Sequence, residues 1–535
     1  MRTVSEQFTR SRIPIQPVYT QDDIKDFDYE TKLGEPGSFP YTRGIRPAGA
    51  WTWIQRELSG EGDPKTSNEQ LKYLIAHGQT GIDVIADAPS QALMDPDHPL
   101  SANAIGTQGV SLCCLQDFRD LWADLPLDRL TISNSLPSFF TAAALYLIAK
   151  ENNVSPQVLR GSVIQAPIYG EDCGYATQLP VELRMRLACD SIQFCTKEMP
   201  KFHSYVEDTY FFSEAGLDVV EEMALGFIQM RAIIRELLCR GLDIDSFAPR
   251  IAILVNCNMD FFEEIAKIRA TRRIFSRMMK EEFGAQDRRS MAPVITCHTS
   301  GLSLTAQQPF NNIVRGAVQS LALLMAGVQA IEISAFDEAF RTPSPESHLV
   351  GLRTQQVLGL ETNVTKVVDP LGGSYYIESL TDDIERRITD MIAEIEARGD
   401  ATTLSNQGWF KKFFDDVMTR YTRQIGDGDL PKVGLNCFQM AEEEDTLLRD
   451  VTEAKFEPSW HRIQWARDYK AGRDMDRVKV TLQKCHHLAE VRDADLMPPL
   501  IEAFEAGATM GEITGVMRMA YNCPYDPHGM IESLI

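Results

Sequence analysis

Cations are scarce in this sequence. Against 76 aspartates and glutamates stand 53 lysines and arginines, a formal net charge of −23 over 535 residues. Such a field repels polyanions, which argues against a nucleic-acid or anionic-membrane partner and leaves any phosphate-bearing ligand to local arginines. Long apolar runs are missing too. No window approaches the roughly 18 consecutive apolar residues that span a bilayer, and MRTVSEQFTRSRIPIQPVYTQDD at the start holds no apolar signal segment, so a soluble, unprocessed chain is expected. The 11 cysteines are scattered, without one C-x-x-C pair. That speaks against a disulfide framework or a zinc ribbon and fits a reducing cytoplasm. Repeats and low-complexity tracts are absent.

What is present is a large apolar complement, 44% of the chain, enough for a barrel of roughly 250 residues or more with appended elements. Residues 1–40 are rich in Pro, Gly, Asp and Tyr with little helical periodicity, and read as an extended arm contacting a partner subunit. From 41 to 400, short apolar runs alternate with amphipathic helical patterns, close to eight units in all. The expected strands are IDVIA (82–86), LTISNS (130–135), SVIQAP (162–167), HSYVEDTYF (203–211), RIAILVN (250–256), PVITCH (293–298) and VQAIEIS (328–334). Helices are expected over 139–152, 219–241 and 261–283, where apolar residues recur at three- and four-residue spacing. Right-handed crossovers of this number close into a (β/α)8 TIM barrel, whose chemistry sits in the loops after the strand C-termini. Residues 401–535 turn to charged helical segments ending in LMPPLIEAFEAGATMGEI, an apolar helix, a Gly-Ala break and an amphipathic helix, read as a docking segment.

YTRGIRP (41–47), MDPDHPL (94–100), FAPRIAILVN (247–256), CHTSGLSLTAQQPFNNIVRGAVQSLA (297–322), FDEAF (336–340), VVDPLGGSYYIESLT (367–381) and LMPPLIEAFEAGATMGEI (496–513) together resemble the methylmalonyl-CoA mutase family, over nearly the whole chain. The overall look is that of the large subunits of its split members, such as 2-hydroxyisobutyryl-CoA mutase. The D-x-H-x-x-G module of fused members, whose histidine ligates cobalt, is not matched; DPHGMIE (526–532) lacks the glycine position. The resemblance therefore implies a small cobalamin-binding partner that supplies the cobalt ligand, a heterotetramer, and no metal held by this chain alone.

In that family adenosylcobalamin carries the radical chemistry, and the protein holds an acyl-CoA in a dry cavity while the thioester carbonyl migrates. Carried over by motif, Glu338 receives the ribose hydroxyls of the adenosyl group, a role for an acceptor of two hydroxyls; without the motif it would read as an ordinary surface or capping acid. Ala86, Ala88, Gln91, Gln108, Glu214, Gly301 and Ala339 are implied against the corrin, where small residues permit close approach, although each fits ordinary loop packing equally. Gln165 matches the glutamine near the substrate thioester. Arg56, Lys201 and Arg250 match polar contacts along the substrate, the alternative for each being a solvated charge.

The departures concern the substrate. The acyl-selecting position is Leu58, the carboxylate-binding arginine is matched by Tyr175, and the acid that binds a substrate hydroxyl by Ile85. All three remove charge, so an acyl group with a free carboxylate would lack its partner, and a branched or apolar acyl-CoA is expected. Phe211 replaces the histidine that donates to the thioester carbonyl, and loss of such a donor costs about 2.7–4 kcal/mol of transition-state stabilisation unless replaced. His298, where the family has glutamine, is the candidate replacement; the competing reading is a satisfied structural histidine. His298, Gln165 and Tyr210 thus form the expected catalytic set, and Trp51 stands where an arginine meets coenzyme A phosphates. Cys485, His486 and His487 sit on one helix with adjacent side chains on different faces, and so do not suggest a metal site. Cys113 and Cys114 read as buried small hydrophobes. The rival to an active mutase is a non-catalytic barrel subunit that keeps the scaffold and has lost the chemistry, which Phe211, Leu58 and Tyr175 would also fit.

Overall fold

The computed structural model describes residues 7–49, 51–174, 176–441, 443–445, 448 and 457–535. Eight parallel strands set the architecture: β1 (Ile54–Arg56, resuming at Leu58–Ser59), β2 (Ile82–Ile85), β3 (Thr131–Ser135), β4 (Arg160–Gln165), β5 (His203–Asp208), β6 (Ile251–Cys257), β7 (Val294–Thr299) and β8 (Ala330–Glu332). They pair in sequence order, with the two halves of β1 bonded to β8 and β2, as a (β/α)8 barrel requires.

Two expectations about strands are corrected. β1 was missing from the apolar runs because its sequence, IQRELS, is mostly polar. The strand expected over 203–211 stops at Asp208, whose carboxylate accepts the Phe211 N–H and starts a helix at Thr209–Glu214. Tyr210 and Phe211 are therefore helical residues.

The chain divides into two compact units. The first comprises the described residues of Met1–Arg56 and Glu207–Thr452. Within it every residue of β6 is buried, the continuous apolar run typical of a parallel strand covered on both faces. Helix Val219–Cys239 opens with a capping box between Asp218 and Glu221. Helix Phe261–Arg277 buries Arg269, Arg272 and Arg273 completely. Burial of a guanidinium is tolerable only with partners: Arg273 reaches Asp382 at 2.7 Å and Glu385 at 2.8 Å on helix Tyr375–Glu396, and Arg269 pairs with Asp369 and Glu378. The described part of the arm lies on this same unit. The Arg10 N–H donates to Asp260 and the Ser11 N–H to Glu263, both at 3.0 Å, and the Ser276 hydroxyl donates to the Pro40 carbonyl.

The second unit comprises the described residues of Glu57–Val206 and Glu453–Ile535. Its core joins β2 to β4 with helices Ser138–Glu151, Met475–Glu490, Met497–Glu505 and Met510–Ala520. Phe504 packs 5.2 Å from Phe140 and 5.9 Å from Phe118, and burying one such side chain contributes about 1.5–3 kcal/mol. The apolar face of the segment read as a docking element is thus covered inside its own unit. Arg186 donates to the Leu488 and Ala489 carbonyls, satisfying groups that the end of helix Met475–Glu490 leaves open. On that helix Cys485 is buried and His487 exposed, and Cys113 and Cys114 are both buried. Among the described residues no helix is long and apolar enough to cross a membrane.

Candidate active site

In the first unit, strand register aligns four polar residues. Arg56 on β1 pairs with Glu332 on β8, Glu332 with His298 on β7, and His298 with Asn256 on β6. One row across four neighbouring strands therefore carries a guanidinium, a carboxylate, an imidazole and an amide. All four are buried. His298 Nε2 stands 3.0 Å from Glu332 Oε2, and Arg56 Nε 3.8 Å from the same oxygen. Arg56 also donates to Thr296 Oγ1 at 2.6 Å. Polar groups at this depth are tolerated because each has a partner.

The loops beyond these strands bring further residues together. The Thr209–Glu214 helix presents Tyr210, whose ring meets His298 edge-on with centroids 4.7 Å apart. Burial pushes the Tyr210 phenol well above its ordinary range, and the charges of Glu214, Glu338 and Glu332 push it further, so it remains a neutral O–H donor. Glu214 accepts from Asn256 Nδ2, Ser300 Oγ and the Leu302 N–H, each at 2.7 Å. Burial nevertheless raises its pKa, the donors pulling the other way. Glu338, in the turn after β8, accepts the Ala335 N–H at 3.1 Å. Burial, then the charges of Glu214 and Glu332, raise its carboxyl to about 8.

Gly301 sits between these acids. A Cβ there would lie 3.0 Å from Glu338 Oε1 and 3.2 Å from Glu214 Oε2, with the Tyr210 hydroxyl at 3.8 Å. Two carboxylates and a phenol close on the Gly301 backbone, where a side chain would be crowded. Four residues named from sequence, Tyr210, Glu214, Gly301 and Glu338, thus converge. Ala339 follows, exposed, and Phe211 is half-buried one residue after Tyr210.

Arg250 belongs to the turn before β6, a seven-residue strand, and is roughly 20 Å from its far end at about 3.3 Å per residue. In the second unit Lys201 is likewise in the turn preceding β5, and exposed. Leu58 on β1 and Ile85 at the end of β2 are half-buried. Ala86 is buried, Ala88 and Gln108 are exposed, and Gln91 donates to the Ser135 carbonyl. Gln165 ends β4 with its amide held: Oε1 accepts from Ser138 at 2.8 Å, while Nε2 donates to Ser191 Oγ at 3.1 Å and to the Ser204 carbonyl at 3.0 Å. Gln91 and Gln165 share a cavity of about 90 Å³ with Leu136, Phe139 and Arg184. Tyr175 lies outside the described residues.

Sequence reasoning missed Asn256, Ser300 and Glu332. Only Glu332 carried a signal. An acid inside the apolar run VQAIEIS requires a buried partner, the same logic that singles out a charge at a strand end.

The methylmalonyl-CoA mutase family model matches residues 8–523. The 2-hydroxyisobutanoyl-CoA mutase large subunit of Aquincola tertiaricarbonis is 35% identical over 517 residues, 95% of this chain and 91% of that one. The methylmalonyl-CoA mutase of Rhizobium meliloti is 33% identical over 518 residues, 96% of this chain and 72% of the relative, and that of Escherichia coli is 31% identical over 518 residues with the same coverage.

Proposed function

Since this chain belongs to the methylmalonyl-CoA mutase family, we propose that it is the barrel subunit of an adenosylcobalamin-dependent carbon-skeleton mutase, rearranging a branched or apolar acyl-CoA. The observation that carries the reading is the convergence of Glu338, Glu214 and Tyr210 on Gly301. The ribose hydroxyls of an adenosyl group need acceptors, which the two carboxylates supply. When bound, the cofactor supplies radical chemistry through homolysis of its cobalt–carbon bond.

The chain's own residues do the rest. Glu338 and Glu214 receive hydroxyls, Tyr210 donates as a neutral phenol, and His298 donates a hydrogen bond to the thioester oxygen in place of the histidine that Phe211 displaces. Glu332 fixes the imidazole through the 3.0 Å contact at Nε2, and Arg56 balances the charge of Glu332. Leu58 and Ile85 favour an apolar acyl group, because neither can partner a carboxylate. A separate small cobalamin-binding subunit supplies the cobalt ligand, in keeping with the relative named as a large subunit, and the eleven free cysteines suit a reducing cytoplasm.

The test mixes the purified chain with a small cobalamin-binding subunit and adenosylcobalamin, adds a panel of acyl-CoAs, and follows isomer formation by mass-resolved chromatography. Rearrangement of an isobutyryl-, pivalyl- or 2-hydroxyisobutyryl-like thioester is the expected result. Cofactor-dependent assembly with no turnover and no cob(II)alamin signal would favour a non-catalytic barrel subunit.

A further inference from the structure

The described arm and the segment before residue 434 enclose a second cavity in the first unit, about 700 Å³ in volume. It is rich in cations that have found only neutral partners. Arg10 donates to the Gly216 and Leu217 carbonyls, at 3.1 and 3.0 Å. Arg315 donates to Thr305 Oγ1, Asn312 Oδ1 and the Val433 carbonyl, and Lys432 to the Leu302 carbonyl. Arg12 stands exposed at the rim. Lys267, Arg269, Arg273 and Arg462, by contrast, are held by carboxylates, while Arg186 and Arg272 are satisfied by backbone carbonyls.

Two acids line the same cavity: Asp260 accepts the Arg10 N–H and offsets part of the Arg10 charge, and Asp429 is exposed. The Lys432 ammonium is pushed down to about 8 by burial and by the facing charges of Arg10 and Arg315, with Glu214 acting in the opposite sense. Asp260, Asp218 and Glu214 offset part of the Arg10 charge, but among the described residues no carboxylate hydrogen-bonds the side chains of Arg10, Arg315 or Lys432, whose donors an anion would complete. The Tyr421 ring lies 5.5 Å from both the Arg10 guanidinium and the Lys432 ammonium. Phe8 and Met259, each 41% exposed, give the cavity an apolar end.

We propose that this cavity binds a phosphate-bearing small molecule, its phosphate among Arg10, Arg315 and Lys432 and its body against Phe8 and Met259. Guanidinium forks match phosphate oxygens, and Lys432 adds a compact charge. The volume is that of an ordinary small-molecule site. None of Tyr210, Glu214, Gly301, His298 or Glu338 lines it, so the site is separate from the one assigned to the mutase chemistry.

The test is isothermal titration of the intact chain with inorganic pyrophosphate and, separately, with ADP, at pH 7 and pH 9. Saturable binding at one site is expected, weakened by about tenfold or more in Lys432→Met and in Arg10→Met. Affinity should fall between pH 7 and 9 as Lys432 loses its proton, and Lys432→Arg should bind at pH 7 and lose that pH dependence. ADP binding tighter than pyrophosphate assigns a nucleotide-like body to the apolar end; equal affinities assign phosphate alone. Absence of saturable binding to either probe, or binding unchanged in both methionine variants, would overturn the proposal. The arginine variant separates loss of charge from loss of fold.

Discussion

His298 Nε2 lies 3.0 Å from Glu332 Oε2, and strand register makes the two residues direct neighbours on β7 and β8. An imidazole held at one nitrogen by a buried carboxylate has a fixed ring orientation, and the carboxylate in turn stands 3.8 Å from Arg56 Nε. If His298 donates to the thioester oxygen, His298→Ala should lower turnover by about 10²–10³-fold while leaving cofactor affinity within error. Glu332→Gln should lower turnover as well, because the ring loses its anchor, and should destabilise the fold by up to about 3–5 kcal/mol by removing one partner of a buried charged set. Steady-state kinetics and urea unfolding read the two effects separately. Near-normal turnover of His298→Ala would return that residue to a purely structural role.

Glu338 gives a prediction with a definite sign. Its carboxyl is raised from 4.5 to about 8, so the native state holds a proton there that the unfolded chain has released above about pH 5. Stability from this group is complete below pH 4.5 and is lost as pH rises through about 8. Glu338→Gln should therefore be more stable than the parent at pH 8, by about 1–3 kcal/mol, with the difference fading towards pH 4.5. The same variant should lose tight cofactor uptake. In the parent, if ribose hydroxyls donate to the ionised carboxylate, adenosylcobalamin binding at pH 7 should release close to one proton. Calorimetry in buffers of different ionisation enthalpy measures that release, and a value of zero would remove Glu338 from the ribose contact.

The barrel was legible because parallel strands buried on both faces read as apolar runs, as IAILVNC does on β6. β1 was not, since its buried side chains include Ser59 and Arg56, the latter held by Glu332 and Thr296 on strands distant in sequence. Glu338 and Gly301 were singled out because a short motif surrounds each. Asn256 and Ser300 were not, because an amide and a hydroxyl become informative only once β6 and β7 bring them within 2.7 Å of Glu214. Arg250, which draws notice as a charge beside an apolar strand, lies in the turn before β6, at the strand end away from Glu214 and Gly301.

Gly301→Ala tests whether the close approach of the two acids to the backbone matters. Its backbone does not require glycine, as φ lies outside the left-handed region, so folding should be almost unaffected. The added methyl would lie 3.0 Å from Glu338 Oε1 and 3.2 Å from Glu214 Oε2 and must displace one of them. The expected outcome is a melting temperature within about 2 °C of the parent, less than the shift of about 2–4 °C that 1 kcal/mol produces in a large domain. Cofactor affinity should be reduced by about tenfold or more. Unchanged affinity would mean that the cofactor does not approach the backbone at this position.

Behind the site lies a buried triad. Lys267 Nζ is 3.0 Å from Glu222 and 2.6 Å from Glu264, and it donates to the Asn256 carbonyl at 2.6 Å. Burial alone would lower the Lys267 pKa, but the two carboxylates more than offset it and hold the ammonium charged. Lys267→Met strands both acids in the interior, and removing one partner from such a set costs about 3–5 kcal/mol. The stranded carboxylates would then favour their protonated forms, so the loss should be largest at pH 8 and should shrink as pH falls towards 4.5, the value from which burial already raises Glu222. Because Asn256 also holds Glu214 at 2.7 Å, cofactor uptake should weaken along with stability. Urea unfolding at pH 5 and pH 8 decides the matter: a loss equal at both values would show that Lys267 contributes packing and one hydrogen bond, not neutralisation of the two acids.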